Sequence, residues 1–348
     1  MDGTFTRLSR RAAGIALGLL TAAGLTLGTA AAETLLVYTA LEDDQLTAYK
    51  GAFESANPGI EINWVRDSTG PITARLLAEK GNRQADVVWG LAATSLLLLD
   101  GEGMLEHYAP ANLDQIKDGF KDANSPPAWV GMDAWASAIC FNKALAGPLG
   151  LPTPSSWQDL LKTVYRGHIV MPNPNSSGTG YLTVSAWLQI MGEDKAWAFM
   201  DGLHKNINTY LHSGSKPCSL TAKGEYPMGI SFAYRGVQEK NKGAPIDIIL
   251  PSEGIGWDME ATAIMKGTDK LDAAKKLADF AATVAANELY NKSYSVVANA
   301  QTDLRTIANY PPDEEALMIK NDFTWAAANR ERILAEWQKR YGSKDAPK

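Results

Sequence analysis

Two short loops carry the residues with the clearest chemical potential in this sequence. They are Ser68, Thr69 and Gly70 in one loop and Ser177, Gly178 and Thr179 in the other. Each loop precedes a helical pattern, and the first amides of a helix have no partner within it. The helix dipole adds about half a positive charge at that end, so each loop could hold an anion. For either loop by itself, an ordinary capped strand-to-helix connection is the simpler interpretation.

Short apolar runs alternating with amphipathic segments surround these loops. The runs that we interpret as strands cover residues 34–38, 60–65, 85–90, 167–171, 207–211, 228–232 and 245–250. Strands separated by helices indicate a mainly parallel sheet with helices on both faces. Ligands of such sheets sit beyond the carboxyl ends of the strands. Both hydroxyl-rich loops are expected at that edge.

Two extended runs, 134–142 and 260–265, predict crossovers between two lobes. A chain of 348 residues is also too long for one small core. We therefore expect a two-lobed α/β fold, each lobe a mainly parallel sheet flanked by helices. The expected division is a leader at 1–32, lobe 1 at 33–135 plus 262–300, lobe 2 at 136–261, and a helical segment at 301–348 whose lobe stays open.

The first 32 residues have the composition of an export signal. Arg7, Arg10 and Arg11 precede an apolar stretch of small residues, and alanines at 30–32 offer a cleavage site before Glu33. A retained anchor is the alternative, although the stretch is short and rich in Gly and Ala. The adjacent arginines leave the general and twin-arginine export routes both open. We expect a periplasmic protein with a cleavable signal peptide.

Charge narrows the range of partners. The chain carries a net charge of −6, and because the leader contributes three arginines and one aspartate, the remainder is about −8. An acidic protein is a poor candidate for binding nucleic acid or an anionic membrane. We expect a monomer with no resident cofactor.

The chain has two cysteines, Cys140 and Cys218. In an oxidising compartment a single disulfide between them is plausible, and two buried free thiols are the alternative. No C-x-x-C, HExxH, Gly-x-Ser-x-Gly or nucleotide P-loop motif is present in the sequence. Hydroxyl-rich loops without a poised base favour holding a ligand over transforming it.

Several segments resemble the iron-type, class II solute-binding proteins of bacterial ABC importers. They are residues 36–40, 85–89, 154–160 and 175–180. Residues 213–218, 229–236 and 254–261 are similar to the branch of that family that binds 2-aminoethylphosphonate. The resemblance implies a clamp of two lobes joined by two hinge strands, with a ligand in the cleft and a membrane permease as partner.

A 2-aminoethylphosphonate ligand has a phosphonate at one end and an ammonium at the other. For the phosphonate, amides and hydroxyls suffice. The residues expected there are Thr39, Ser68, Thr69, Ser137, Ser177, Gly178, Thr179 and Tyr234. For the ammonium, carboxylates and aromatic faces are needed. The residues expected there are Glu42, Trp257, Asp258 and Glu260.

Each of these residues has a plainer alternative. Glu42 could be simply a helix-capping charge, and Trp257 could simply pack against the hinge. Asp258 and Glu260 could form hydrogen bonds within the hinge. The hydroxyl residues could be turn residues, and Tyr234 could be an aromatic at the rim.

Ferric iron and other small anions remain competing ligands. Relatives that bind iron supply adjacent tyrosines, whereas Tyr234 stands alone, and the four histidines show no ligand spacing. We therefore expect no metal site, and an exported enzyme is the least favoured alternative.

Overall fold

The structure, a computed structural model, describes residues 1–4 and 32–347. Most of the expected leader, residues 5–31, lies outside the described residues. The strands are β1 (Glu33–Thr39), β2 (Ile60–Arg66), β3 (Val87–Ala92), β4 (Leu105–Glu106), β5 (Val130–Asn142), β6 (Ile169–Pro172), β7 (Ile207–Leu211), β8 (Met228–Phe232), β9 (Ile246–Ile249), β10 (Trp257–Met265) and β11 (Val296–Val297).

Helices alternate with these strands along most of the chain. They are α1 (Asp43–Ala56), α2 (Thr69–Ala78), α3 (Ala93–Gly101), α4 (Lys143–Ala146), α5 (Gly178–Met191), α6 (Glu193–Asn206), α7 (Lys216–Ala222), α8 (Ala233–Asn241), α9 (Leu271–Ala281), α10 (Val284–Tyr290), α11 (Glu314–Leu317) and α12 (Phe323–Tyr341). Within the described part of the chain, no helix combines the length and the apolar character needed to span a membrane.

The strands form a mixed sheet in the order β2-β1-β3-β10-β5-β8-β6-β7. β1 runs parallel to β2 and β3, and β6 runs parallel to β7 and β8. β10 is antiparallel to both β3 and β5. This arrangement is the two-lobed α/β fold expected from the alternating pattern, and the fold class is confirmed.

One long strand carries the chain from the first lobe to the second. The first half of β5, up to Ala136, pairs with β10, and the second half, from Ser137, pairs with β8. The chain returns at Gly256, whose carbonyl accepts a hydrogen bond from the Ser137 amide at 2.8 Å. All of β10, from Trp257 onward, pairs with lobe 1 strands. We therefore propose the second lobe boundary at Gly256, rather than at residue 261 as the sequence suggested.

Alternating side chains of β1 place a core on each face of the lobe 1 sheet. Leu35 and Val37 enter one apolar cluster, and Tyr38 enters the other. Lobe 2 has its own cluster, which includes Ile333, Trp337 and Tyr341 of α12. The later part of the C-terminal helix, unassigned from the sequence, therefore packs in the core of lobe 2, while its start, at Phe323, packs against the lobe 1 core.

Residues 152–160 carry prolines and serines that are typical of a capped helix start, but they do not form an α-helix. The chain instead makes 3₁₀ turns at Gln158–Leu161 and Thr163–Tyr165. The carboxylate of Glu253 accepts hydrogen bonds from the amides of Trp157 and Gln158, at 2.9 and 3.0 Å. A distant side chain therefore satisfies the amides that a local cap would have satisfied in a longer helix.

Cys140 of β5 and Cys218 of α7 form a disulfide, with their Cα atoms 5.4 Å apart. The alternative of two free thiols is not what the structure shows. The bridge joins the lobe 2 half of the long strand to a helix that begins just after residues 213–215.

Candidate ligand-binding cleft

The amino ends of α2 and α5 approach one another across the boundary between the lobes. The Gly70 amide of lobe 1 donates a hydrogen bond to the Ser176 carbonyl of lobe 2 at 3.0 Å. A Cβ atom on Gly70 would lie 2.3 Å from the Asn175 carbonyl oxygen, and one on Gly178 would lie 2.4 Å from the Thr69 Oγ1. The cleft is therefore closed, and only glycine fits at these two contacts.

Unpaired amides face the space that remains between the two helix ends. The Ser177 Oγ caps α5 by accepting from the Gly180 amide at 3.2 Å. Within the described chain, the amides of Thr69, Gly178 and Thr179 have no hydrogen-bond partner, and all three residues line the cavity. Neutral donors at two opposed helix ends form a cradle for an anion.

The space between the two helix ends is a small cavity that brings together many of the predicted residues. Those that line it are Glu42, Ser68, Thr69, Ser177, Gly178, Thr179 and Glu260. The Ser68 side chain makes no capping bond to α2, so its hydroxyl is available to a ligand. The sequence thus located both hydroxyl-rich loops at one site.

Glu42 is a cavity carboxylate with positive partners. Its Oε2 lies 2.9 Å from the Arg235 Nη2 and 3.7 Å from the Arg66 Nη2. Arg235 belongs to α8 of lobe 2, so the first pair crosses the cleft. The neighbouring Tyr234 hydroxyl also crosses, donating to Asp44 at 3.3 Å. These bonds hold the lobes together at one side of the cavity.

Glu260 is a cavity carboxylate that has no positive partner in direct contact among residues 1–4 and 32–347. Its Oε1 accepts from the Tyr294 hydroxyl at 3.3 Å, and its Oε2 has no partner in the described chain. Asp133 sits opposite it on β5, fully buried, and neither of its oxygens has a donor in the same described region. Burial raises the pKa of both groups, and that of Glu260 reaches about 8.

Aromatic side chains complete the wall next to Glu260. Trp135, Phe232 and Tyr294 line the cavity and belong to one buried apolar cluster that includes residues of both lobes. The rings of Tyr234 and Tyr294 lie 5.1 Å apart, which ties the two lobes together behind the wall. Aromatic faces beside a carboxylate suit a cationic group.

Five predicted residues lie outside the cavity lining: Thr39, Ser137, Tyr234, Trp257 and Asp258. The Thr39 and Ser137 hydroxyls accept from the Leu41 and Gly256 amides, each at 3.1 Å. The Trp257 indole donates to the Ile319 carbonyl at 2.8 Å. In this closed structure their side chains therefore make local or hinge contacts, as the plainer alternatives suggested.

Asp258 is occupied in the same way. It is buried on β10 and accepts from the Thr94 hydroxyl at 2.6 Å and from the Met259 amide at 2.8 Å. Burial raises its pKa to about 6, against the opposing effect of these bonds. The carboxylate supports the hinge strand, and it is Glu260, two residues further along, that reaches the cavity.

Sequence reasoning missed several residues of the site: Arg66, Asp133, Trp135, Gly214, Phe232 and Tyr294. Arg66 ends β2 at the carboxyl edge of the sheet, and Gly214 follows β7 at the equivalent edge, so the rule about strand ends could have found both. A Cβ on Gly214 would lie 2.5 Å from the Thr179 Oγ1. The acidic and aromatic members depend on long-range strand pairing and carry no local signal.

Among residues 1–4 and 32–347, no group of three or more His, Cys, Asp or Glu side chains is placed to hold a metal ion. The polar groups that line the cavity include hydroxyls, amides, one unpartnered carboxylate, and the ion-paired side chains of Glu42 and Arg66. Such a set can bind a small oxyanion at one end and a cation at the other.

Comparison with protein families gives a match to bacterial extracellular solute-binding proteins over residues 82–325. The chain is 28% identical over 286 residues to an uncharacterised protein of Haemophilus influenzae, covering 80% of this chain and 82% of that one. It is 26% identical over 316 residues to y4fP of Sinorhizobium fredii, a probable ABC transporter periplasmic-binding protein, covering 84% and 85%. It is 25% identical over 236 residues to a putative 2-aminoethylphosphonate-binding periplasmic protein of Salmonella typhi, covering 66% of each.

Solved structures show the same fold. The periplasmic binding protein AfuA from Actinobacillus pleuropneumoniae, determined with fructose-6-phosphate, is 28% identical with a TM-score of 0.83, covering 89% of this chain and 99% of that one. Iron-bound HitA from Pseudomonas aeruginosa is 18% identical with a TM-score of 0.74, covering 87% and 99%. At that identity the likeness to HitA concerns the fold alone.

Proposed function

The chain belongs to the bacterial extracellular solute-binding proteins, and from that premise we propose that it captures 2-aminoethylphosphonate or a close aminophosphonate. Proteins of this family bind solutes for ABC importers in the periplasm, and this chain shares that general function. We propose further that a cleavable signal peptide exports it and that it delivers the ligand, as a monomer, to an inner-membrane ABC permease.

The unpaired amides of Thr69, Gly178 and Thr179 are the observation that carries the proposal. They come from opposite lobes, so a phosphonate held by all three favours the closed cleft. The ligand thereby shifts the population toward closure through contacts that the open state lacks. The hydroxyls of Ser68, Thr69 and Thr179 add further donors around the same point.

The opposite wall favours a ligand that also carries a cation. Glu42 already has two arginines, whereas Glu260 keeps one oxygen without a partner beside Trp135 and Tyr294. A primary ammonium supplies three donors and a positive charge, which fits that wall. The similarity to the putative 2-aminoethylphosphonate-binding protein of Salmonella typhi supports the same ligand.

A sugar phosphate is the second candidate. AfuA, which was determined with fructose-6-phosphate, is at 28% identity to this chain. A phosphate ester would use the same amide cradle, and its hydroxyls would meet Glu260 in place of an ammonium. The two candidates differ in charge at one end, so one titration series separates them.

Calorimetric titration of the mature protein tests the proposal. We expect 2-aminoethylphosphonate to bind more tightly than ethylphosphonate, inorganic phosphate and fructose-6-phosphate. Equal or tighter binding of ethylphosphonate or phosphate would remove the ammonium from the proposal. Tighter binding of fructose-6-phosphate would favour a sugar phosphate as the ligand of this site.

Thr179→Val tests the amide and hydroxyl cradle with a nearly isosteric change. One lost hydrogen bond to a charged group should weaken 2-aminoethylphosphonate binding by about 1.5–3 kcal/mol. Thr183→Val is the matched control, because that hydroxyl bonds the Thr179 carbonyl and lies outside the cavity lining. Unchanged affinity in Thr179→Val would place that hydroxyl outside the ligand contacts.

A further inference from the structure

Asp133 and Glu260 form a buried pair of acids at the back of the cavity. They are direct partners across the antiparallel strands β5 and β10, and their carboxyl groups are close enough to share a hydrogen bond. Asp133 is fully buried, and Glu260 is 8% exposed. A hydrogen bond between two carboxyl groups requires a proton on one of them.

The donors around this pair are too few for two negative charges. The Tyr294 hydroxyl is the one side-chain donor bonded to Glu260 in the described chain, and Asp133 has none there. Two adjacent carboxylates repel each other, and an isolated buried charge is strongly disfavoured. In the ligand-free protein the pair is therefore stable only when both carboxyl groups are protonated.

Among the residues that the structure describes, the titratable groups that face the pair from neighbouring elements add no positive charge. They are Tyr49 of α1, Tyr290 of α10, Tyr294 beyond α10, Tyr234 of α8, and Glu42 before α1. Tyr290 itself accepts from the Trp89 indole at 3.1 Å, so its oxygen is already engaged. A cation for the pair must therefore come from the cavity.

We propose that this pair makes ligand capture proton-linked, with the ligand's ammonium taking the place of the proton on Glu260. The inference rests on the proposed function, since it assigns the ammonium end of the ligand to Glu260. The O–H bond of Glu260 breaks, the proton leaves to water through the cleft, and the carboxylate then pairs with the ammonium. Asp133 keeps its proton in both states, and its O–H donates a hydrogen bond to Glu260.

Position distinguishes the roles of the two acids. Glu260 lines the cavity, whereas Asp133 lies behind it and has no exposed surface. Glu260 is therefore the group that exchanges a proton for a ligand. Asp133 is a positioning residue that stabilises the ionised Glu260 by donating a hydrogen bond.

Infrared difference spectra of the ligand-free protein test the pair directly. Between about pH 6.5 and about pH 9.5, on either side of the pKa of about 8 for Glu260, the wild type should lose a protonated-carboxyl band that Glu260→Gln lacks. Glu314, whose pKa burial raises to about 7, contributes equally to both proteins and cancels in the comparison. A loss of the protonated-carboxyl band between these pH values that is equal in the wild type and in Glu260→Gln overturns the inference whether or not a ligand binds.

Calorimetry in two buffers of different ionisation enthalpy measures the exchange itself. At about pH 7, well below the pKa of about 8, binding of 2-aminoethylphosphonate should release about one proton more in the wild type than in Glu260→Gln. Using one ligand in both proteins removes the ionisation of the ligand from the difference. Ethylphosphonate, which has no ammonium, should show no such difference.

Asp133→Asn is the second variant, because an amide keeps the donor without an ionisable group. It should retain the extra proton release. If proton release on binding were lost in Asp133→Asn but kept in Glu260→Gln, Asp133 and not Glu260 would be the group that exchanges its proton. If the wild type binds 2-aminoethylphosphonate without releasing the extra proton, the inference is overturned and the proposed function stands. If the wild type does not bind 2-aminoethylphosphonate, the proposed ligand is overturned and the infrared test decides the inference.

Discussion

Glu42 and Glu260 are two carboxylates of lobe 1 that line the same cavity in opposite circumstances. Glu42 faces Arg235 from the other lobe at 2.9 Å and Arg66 from its own lobe at 3.7 Å. Glu260 faces a phenol and a second acid. A carboxylate that is already ion-paired gains little from a further cation. A buried carboxylate without an ion-pair partner strongly favours a ligand with a positively charged group.

Under the proposed function, the two carboxylates serve different steps of ligand capture. The pair between Glu42 and Arg235 crosses the cleft, so we expect it to contribute to closure with any ligand. We expect Glu260 to contribute only when the ligand brings a cation. Specificity and closure would then depend on separate residues of one small cavity, and variants can separate them.

The largest expected effect is the loss of the cation preference in Glu260→Gln. Removing one partner of a buried, hydrogen-bonded charge pair should cost about 2–5 kcal/mol in 2-aminoethylphosphonate affinity. Affinity for ethylphosphonate should change far less, because that ligand leaves the side chain neutral. Paired titrations check this, and an equal loss for both ligands would erase the distinction between the two carboxylates.

The next effect concerns the stability of the ligand-free protein. The folded-state pKa of Glu260 is about 8 against an ordinary value of 4.5, so between these values the folded protein holds a proton that the unfolded chain releases. The contribution of this group to the free energy of unfolding is fully present below the unfolded pKa of 4.5 and falls as the pH rises toward 8, by up to about 5 kcal/mol.

Urea unfolding at several pH values measures that decline. Glu260→Gln should flatten it, and Asp44→Asn, which removes a carboxylate that does not shift the pKa of Glu260, is the control that should retain it. A wild-type stability that stays constant or rises between pH 4.5 and pH 8 relative to Glu260→Gln would contradict the raised pKa of this group.

Glu42→Gln should have a smaller effect of a different kind. It removes the ion pair between the lobes, while Arg235 keeps weaker partners in Asp44 and Glu239, at 3.7 and 3.8 Å. We expect a loss of about 1 kcal/mol that is equal for 2-aminoethylphosphonate and ethylphosphonate and shrinks at high salt. A loss confined to 2-aminoethylphosphonate would show that Glu42, too, reads the cation.

The smallest effect is expected for Asp44→Asn. This carboxylate is 43% exposed and lies 3.7 Å from the Arg235 guanidinium, so solvent screens the pair. The change in affinity should be below about 0.5 kcal/mol for either ligand. A larger loss, measured by the same titrations, would mean that the bond from Tyr234 to Asp44 matters for closure.

Much of the cleft was predictable because its parts are local. The loops at residues 68–70 and 177–179 each follow a strand and begin a helix, and parallel strands bring such loops to one edge. The structure places both in the same cavity. Thr39 stands at the same edge, but its hydroxyl turns back to the Leu41 amide, a detail that spacing does not reveal.

The pairing of Asp133 with Glu260 was harder to foresee, although Glu260 itself was predicted. Asp133 and Glu260 are far apart in the chain and meet through the register of β5 against β10, which shifts at a bulge next to Glu260. Alternation along one strand shows which side chains share a face. It does not show which residue of a distant strand stands opposite, nor that two acids would be buried together.

The disulfide between Cys140 and Cys218 has a consequence for where the protein matures. It fastens α7 to the hinge-bearing strand, and the loop before α7 carries Gly214 against Thr179 at the wall of the cavity. In a reducing cytoplasm that fastening is absent, because thiols there stay reduced. A newly synthesised chain would therefore lack this bridge beside the cavity, and the bridge would form only after export to the periplasm.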